Sequence, residues 1–475
     1  MENSTKKGQV ALKAGIWYVV SSIIVRAIGF ITTPIFTRLM STAEYGTVQT
    51  FTSWYTLLLP IFTLNLTYSI GRAKIDYPGK LNEYMGSMQL LASLTSFGLG
   101  CLIIVFISPV SGILELTKIE SILLLAYLFF HIPILMRQSF YRFSYLYKQN
   151  IAISWYSALS STIFSIVLLL VCKGDKADLR IIGLTLPTVF LSLFYWITSI
   201  KEKSLKVNND YWKYALRISV PLILHTIAMH ILSQSDRLFI TKIWGKSETA
   251  FYSLAYTFGA LFNILITAIS EGWLPWFHDT YHENDFAAIR KNVKPLIILG
   301  CYVGLACVAF APEAVMILGG IKYQNSILCV PPIAIGVVVQ YVYSHYVNIE
   351  LHLKKTMYVS AGTIVAAVFN IITNAIFIPQ FGYIAAAYTS LASYFILLLI
   401  HFAVTRYILK IKIYNDVFMF GSLLVTGMIT TILIWTYKYR VIRYIFSFAG
   451  FVSFVFYFRY FYINLWLKRK DLKQF

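Results

Sequence analysis

The sequence is poor in charged residues, and acidic residues are the scarcer kind. Only 13% of the 475 residues are charged, and 20 Asp and Glu accompany 40 Lys and Arg, so the formal net charge is +20. Soluble domains average about 25% charged residues. The low fraction therefore excludes an ordinary soluble protein. No separate basic domain and no RNA- or DNA-binding motif accompanies the excess cations, so we expect no nucleic-acid partner.

Cysteine patterns and catalytic motifs are also lacking. The five cysteines show no CxxC spacing, and we interpret them as small core residues rather than disulfides or metal ligands. The sequence contains no GxxxxGK[ST] loop for ATP, no GxSxG and no HExxH. These motifs would mark a nucleotide site, a serine hydrolase or a zinc protease. We therefore expect a protein that is not an enzyme and holds no metal or organic cofactor.

Long apolar runs are abundant, since 58% of the residues are hydrophobic and the mean hydropathy is +0.69. The runs are about 20 residues long, which is the length of a helix that crosses ~30 Å of hydrocarbon. They predict an all-α polytopic membrane protein with about 14 transmembrane helices. The first run lacks a small-residue cleavage site, so we interpret it as a span rather than a signal peptide. The predicted spans are 11–36, 47–70, 84–108, 119–140, 151–172, 179–200, 214–241, 250–276, 293–311, 327–350, 356–378, 382–408, 416–436 and 442–466.

The loops between these spans predict the orientation in the membrane. With the N-terminus inside, the inner segments hold 26 of the 40 Lys and Arg and the outer loops hold 12. Cytoplasmic loops carry the excess of Lys and Arg in membrane proteins. Both termini are therefore predicted to lie in the cytoplasm. The longest loops, near 201–213 and 277–293, are too short to form a catalytic domain, so we expect the function to reside between the helices.

A weak internal repeat divides the chain. FTRLMSTAEYG (36–46) aligns with ITKIWGKSETA (240–250) at a spacing of 204 residues, and six spans separate the two copies. The repeat predicts two parallel six-helix lobes related by a pseudo-two-fold axis, a design found in alternating-access transporters. The predicted parts are an N-terminal lobe 1–200, a cytoplasmic linker 201–213, a C-terminal lobe 214–408, and two additional helices with a cytoplasmic tail in 409–475.

Ionisable and amide side chains inside the spans are the candidate substrate-binding residues. A charge at mid-membrane costs about 2.5–3.5 kcal/mol and usually faces a cavity or a partner. We therefore interpret Arg26, near the middle of the first span, as a cavity residue. A lone histidine is equally compatible with a satisfied place in the core. The candidate set is Arg26, His131, His225, His230, Asn263, Glu271, His345 and Asn348.

Asp236 and Arg237 stand side by side near the predicted outer end of span 214–241. One interpretation is an interfacial ion pair that holds the following turn against the other lobe. The alternative is an outer gate that opens when a cavity faces outward. We predict that both residues lie at the gate or lobe interface. His225 and His230 are five residues apart, about 140° around a helix, and so do not converge on one metal ion.

Three segments resemble one known family. SQSDRLFITKIWGKSETAFYSLAY (233–256), IGFITTPIFTRLMSTAEYG (28–46) and FNIITNAIFIPQFGYIAAAYTSLASY (369–394) are similar to segments of Wzx-type polysaccharide flippases. These proteins belong to the multidrug/oligosaccharidyl-lipid/polysaccharide (MOP) exporter superfamily. The resemblance extends in order over nearly the whole chain.

The resemblance implies a substrate, a location and partners. The substrate would be an undecaprenyl-pyrophosphate-linked oligosaccharide repeat unit, moved from the inner to the outer leaflet of a bacterial cell membrane for capsule, O-antigen or exopolysaccharide synthesis. Membrane lipid and a polysaccharide polymerase would be partners, and coupling to protons or sodium stays open. The alternatives are a cation-coupled drug exporter with the same two lobes and, less favoured, a membrane polysaccharide polymerase.

Overall fold

The computed structural model describes the backbone of residues 2–471 and the side chains of 14–15 and 17–460, and this part of the chain is almost entirely helical. The predicted all-α architecture is therefore confirmed. The helices are α1 Glu2–Leu39, α2 Thr42–Phe62, α3 Thr67–Asp76, α4 Leu81–Val105, α5 Ile107–Leu114, α6 Lys118–Phe143, α7 Tyr147–Val171, α8 Lys176–Lys201, α9 Asn209–Ile243, α10 Lys246–His282, α11 Phe286–Ala309, α12 Ala311–Gly319, α13 Val330–His352, α14 Thr356–Phe381, α15 Tyr383–Ala403, α16 Asp416–Trp435 and α17 Arg440–Asp471.

Local polar residues decide where several of these helices begin. The Ser41 hydroxyl accepts the Glu44 N–H, while a Glu44 carboxylate oxygen accepts the Ser41 N–H at 2.6 Å. This capping box satisfies backbone N–H groups that a new helix leaves without partners. It ends α1 and starts α2 within three residues. Thr117 and Glu120 form the same motif at the start of α6.

The predicted span 47–70 is interrupted. It separates into α2 and α3 because Leu64 and Asn65 adopt left-handed backbone angles, with φ of 48° and 54°. Such angles cost about 1 kcal/mol or more outside glycine. The Asn65 amide donates to the Thr226 hydroxyl of α9 at 2.9 Å, and this bond helps to hold the break.

Thirteen helices of the described chain are long and apolar enough to cross a membrane. They begin with Trp17–Leu39 and end with Arg440–Tyr460, and they establish a multi-pass membrane protein. The Thr, Gln and Ser residues of α2 keep it out of this set. Of the five free cysteines, Cys301, Cys307 and Cys329 are buried, as interpreted, whereas Cys101 and Cys172 are exposed and are not core residues.

The helices pack into two compact units. The first comprises 1–253 and 367–386, and the second comprises 254–366 and 387–475. In the first unit, α6 packs against α4 and α8, α1 packs along α7, and α2 packs along α9. Leu66, Ile70, Tyr84 and Met88, from the start of α3 to α4, form a core with residues of α6 and α9.

In the second unit, α11 packs against α13 and α16. The hydrophobic core of this unit contains Trp273, Phe277 and Tyr341. Helices α10, α14 and α15 each contribute residues to both units. The predicted lobe boundaries at 200, 213 and 408 follow the internal repeat rather than this packing, and they stay predictions.

Candidate functional site

Asp236 of α9 lies in a buried polar cluster of the first unit, and its side chain is only 1% exposed. One carboxylate oxygen accepts the Asn374 amide at 2.7 Å, and the other accepts the Tyr252 hydroxyl. Asn374 also bonds to Asn370, which accepts the Ser235 hydroxyl at 2.8 Å. Both oxygens of this buried carboxylate therefore have partners, as a buried charge requires.

Arg237, the next residue, is directed at a different set of partners. Its Nε donates to the Ser253 hydroxyl at 3.1 Å, and its Nη1 donates to the Ser233 carbonyl at 2.7 Å. The Gln234 amide oxygen accepts from the same Nη1 at 3.1 Å. Asp236 and Arg237 thus fasten α9 to the first turns of α10. We name Asp236, Arg237, Tyr252, Ser253 and Asn374 the α9–α10 polar cluster.

A row of hydroxyl contacts continues from this cluster to α2. Ser53 donates to Gln234 at 3.1 Å, the hydroxyls of Thr50 and Thr241 are 2.8 Å apart, and those of Thr42 and Ser247 are 3.0 Å apart. We name these three pairs the hydroxyl seam. Short polar side chains allow close approach of helices and bond across the interface.

Gly46 brings the two backbones into contact within the seam. A Cβ atom built on Gly46 would lie 1.7 Å from the Lys246 carbonyl oxygen, so only glycine fits. Segments 36–46 and 240–250, which the internal repeat relates, thus contact each other. Elements beside a two-fold axis are expected to meet in this way.

The other predicted residues of the first unit do not join the seam. The side chain of Arg26 is exposed on α1. The ring of His131 lies 5.5 Å from that of Tyr55 and 5.4 Å from that of Tyr127. His225 and His230 are half-buried on α9, and the His230 carbonyl accepts the Ser233 hydroxyl.

The remaining predicted residues lie in the second unit. His345 is 1% exposed and touches the rings of Trp273, Tyr341 and Tyr414. Asn263 accepts the Thr267 hydroxyl at its carbonyl and its amide oxygen, Asn348 is half-buried, and Glu271 is exposed. No cluster of three or more His, Cys, Asp or Glu able to hold a metal occurs in the described part of the chain.

Two cations with partners inside the fold, the buried Arg137 and the half-buried Arg180, were missed by sequence reasoning and lie outside the candidate set. The Arg137 side chain is 2% exposed, and its guanidinium donates to the Glu202 carboxylate at 3.0 Å and to the Ser199 hydroxyl at 3.1 Å. Arg180 donates to the Ser161 carbonyl at 3.1 Å. Both cations stand near the ends of predicted spans and resemble ordinary loop cations in the sequence. Their pairing depends on residues that are distant in sequence, so no local signal marks it.

A profile of polysaccharide biosynthesis proteins matches residues 11–281. A curated relative, the Lsg locus putative protein 1 of Haemophilus influenzae, is 22% identical over 277 residues, which are 57% of this chain and 67% of that protein. Among solved structures, the lipid II flippase MurJ in an inward closed conformation superposes with a TM-score of 0.72 at 14% identity, covering 95% of this chain and 99% of MurJ. An inward-facing multidrug resistance MATE family transporter of the MOP superfamily superposes with a TM-score of 0.58 at 14% identity over 87% of this chain and 99% of that one. At such identities the likeness is one of fold.

Proposed function

Because the chain belongs to the polysaccharide biosynthesis protein family, we propose that it is a flippase for polyprenyl-pyrophosphate-linked oligosaccharide repeat units. It carries them from the inner to the outer leaflet of a bacterial cell membrane by alternating access between two lobes, and a polysaccharide polymerase then consumes them. The hydroxyl seam carries the proposal, because it joins α2 of one predicted lobe to α9 and α10 of the other. Alternating access moves one repeat against the other around the substrate site, so contacts between the predicted lobes would close one end of the pathway.

The chemistry of the candidate residues suits such a substrate. A pyrophosphate carries negative charge that hydrocarbon excludes, and a guanidinium binds phosphate oxygens bidentately. Arg26 is an exposed cation inside a predicted span, so it is the candidate phosphate-binding residue. The His and Asn residues of the candidate set offer the modest donors and acceptors that sugar hydroxyls need. Glu271 stays a predicted substrate-binding residue, together with these His and Asn residues.

The contacts of the hydroxyl seam support a gate at this end of the pathway. Hydroxyl–hydroxyl bonds between helices are worth about 1 kcal/mol or less each in membranes. A closure built from a few such bonds can therefore open and close at modest cost. Asp236 and Arg237, whose partners lie on α9, α10 and α14, would keep α9 and α10 together as one side of this gate.

The experiment that tests the proposal measures leaflet accessibility of lipid-linked repeat units in cells with the wild-type protein, with Arg26→Ala, or without the protein. We expect inner-leaflet units to accumulate without the protein and with Arg26→Ala at normal expression. Normal export without the protein would contradict the proposal and favour a drug exporter. Units that reach the outer leaflet but stay unpolymerised would instead indicate a polymerase.

A further inference from the structure

Glu350 of α13 and His401 of α15 form a buried acid–imidazole pair in the second unit. Their side chains are 0% and 1% exposed, and the His401 Nδ1 lies 2.9 Å from the Glu350 Oε1. This distance is that of a hydrogen bond, so one proton lies between the two atoms. The pair lies outside the candidate substrate-binding set.

The second oxygen of Glu350 distinguishes this carboxylate from Asp236. The Glu350 Oε2 is buried and has no hydrogen-bond partner among the described residues, whereas both oxygens of Asp236 accept hydrogen bonds. An ionised carboxylate out of contact with water needs donors on both oxygens. Glu350 is therefore built to hold a proton rather than a permanent charge.

One proton serves the pair in either of two arrangements. It resides on Glu350 beside a neutral imidazole, or it moves to His401 and leaves a carboxylate beside an imidazolium. The pair is neutral overall in both arrangements, so the transfer places no net charge in the protein interior. Loss of the proton leaves one buried negative charge, which the surroundings must then stabilise.

Two backbone features adjoin the imidazole of the pair. The chain leaves α-helical geometry just after His401, in a π-helical turn over Val404–Ile408. Such turns often occur at functional sites. On the facing helix α14, a Cβ atom built on Gly362 would lie 3.3 Å from the His401 Nε2, so glycine leaves room for the ring.

Other titratable groups lie on the same helix and on adjoining segments. The ring of Tyr343 stacks on that of His401 at 5.9 Å, and the backbone N–H of Lys355 donates to the Glu350 carbonyl. Gly362, the residue of α14 that packs against His401, is uncharged. The charged or titratable pairs on adjoining segments are Arg406 with Asp416 at 3.1 Å and His278 with His352 at 2.8 Å.

We infer that Glu350 and His401 form a proton-binding site that loads and releases one proton during each transport cycle. The proton leaves the Glu350 Oε1–His401 Nδ1 pair for water on the cytoplasmic side, because the predicted topology places the ends of α13 and α15 there. A proton from the outer side later restores the pair. The coupling role rests on the proposed flippase function, whereas proton binding does not.

Infrared difference spectroscopy on the purified full-length protein tests proton binding without any substrate. We expect a carboxylic C=O band whose intensity changes with pH and which is absent in Glu350→Gln. Glu350→Gln keeps a partner for His401 and nearly the same volume. Glu120→Gln is the matched control, since Glu120 is also buried and Gln preserves its capping box. A band that persists in Glu350→Gln, or that does not change with pH, overturns the site.

Two further measurements separate binding from coupling. His401→Gln is expected to keep the band and shift its pH midpoint, because the carboxyl group loses its base; an unchanged midpoint contradicts the pairing. In cells, collapse of the pH gradient should slow flipping by the wild-type protein, and Glu350→Gln should flip slowly regardless of the gradient. Wild-type flipping by Glu350→Gln with a normal response overturns the coupling role. A strain that lacks the protein yet still moves the units overturns the proposed function, and the infrared band decides the proton site independently.

Discussion

Gly46 offers the sharpest structural perturbation of the hydroxyl seam. In Gly46→Ala the new Cβ would lie 1.7 Å from the Lys246 carbonyl oxygen, while real Cβ contacts essentially never fall below 3.0 Å. The obstacle is backbone, so α2 and the start of α10 must separate by more than about 1 Å. Overpacking of this kind costs about 1–3 kcal/mol. The two backbones touch only when the seam is closed, so the substitution destabilises the closed state alone. The equilibrium between closed and open seam should therefore shift toward the open state by about 5- to 150-fold.

Cross-linking across the seam measures this shift. Thr50 and Thr241, whose hydroxyls are 2.8 Å apart, are replaced by cysteine in a protein whose five native cysteines have been removed. We expect Gly46→Ala to lower the initial rate of disulfide formation at least several-fold. Gly29→Ala in α1 is the matched control, because a Cβ atom there meets no other atom within 4 Å. An unchanged rate in folded Gly46→Ala protein would mean that the contact between the two backbones does not hold the seam closed.

Two other predictions concern the stability of the first unit. Arg137→Ala should lower the melting temperature measurably, because hydrogen bonds to charged groups contribute about 1.5–3 kcal/mol and Glu202 loses its buried partner. Arg72→Ala is the control. It removes only an ion pair in which the Arg72 side chain is 64% exposed, so it should change the melting temperature little. An equal loss in both variants would contradict this assignment. The Tyr214 hydroxyl and Arg72 hold the pKa of the Asp76 carboxyl below its usual range. The stabilisation by the ionised Asp76 is therefore fully present above the ordinary Asp pKa of about 3.9. It is lost as pH falls through the lowered pKa of the folded protein. Thermal melts of wild type and Asp76→Asn should therefore converge in acid, and a constant difference would contradict the pairing.

The helical architecture follows from the sequence because apolar runs of membrane length can satisfy their backbone only as helices. Span 214–241 corresponds to α9 Asn209–Ile243, and span 250–276 corresponds to α10 Lys246–His282. Both helices extend beyond the apolar run, since polar residues continue a helix once it has started. The break at Leu64 and Asn65 was not predictable. It depends on a bond to Thr226, which is distant in sequence.

The candidate site was only partly accessible from sequence. Asp236 and Arg237 stand out because charge is rare in apolar helices, and both prove buried in a satisfied network. Their partners could not be read from spacing, because Asn374 follows Asp236 by 138 residues. His401 carries only the weak signal of the candidate histidines, since a single histidine in an apolar run is equally compatible with a core residue. Its importance becomes visible only when Glu350 is placed beside it.

Reversible locking of the seam tests whether α2 and α9 must separate during transport. In cells that carry the Thr50→Cys, Thr241→Cys protein, leaflet accessibility of lipid-linked repeat units is measured before oxidation, after disulfide formation and after reduction. The alternating-access account predicts that transfer to the outer leaflet stops with the disulfide and resumes on reduction, while either single-cysteine variant stays active throughout. Undiminished transfer in fully cross-linked protein would contradict the account, because α2 and α9 would then not need to separate.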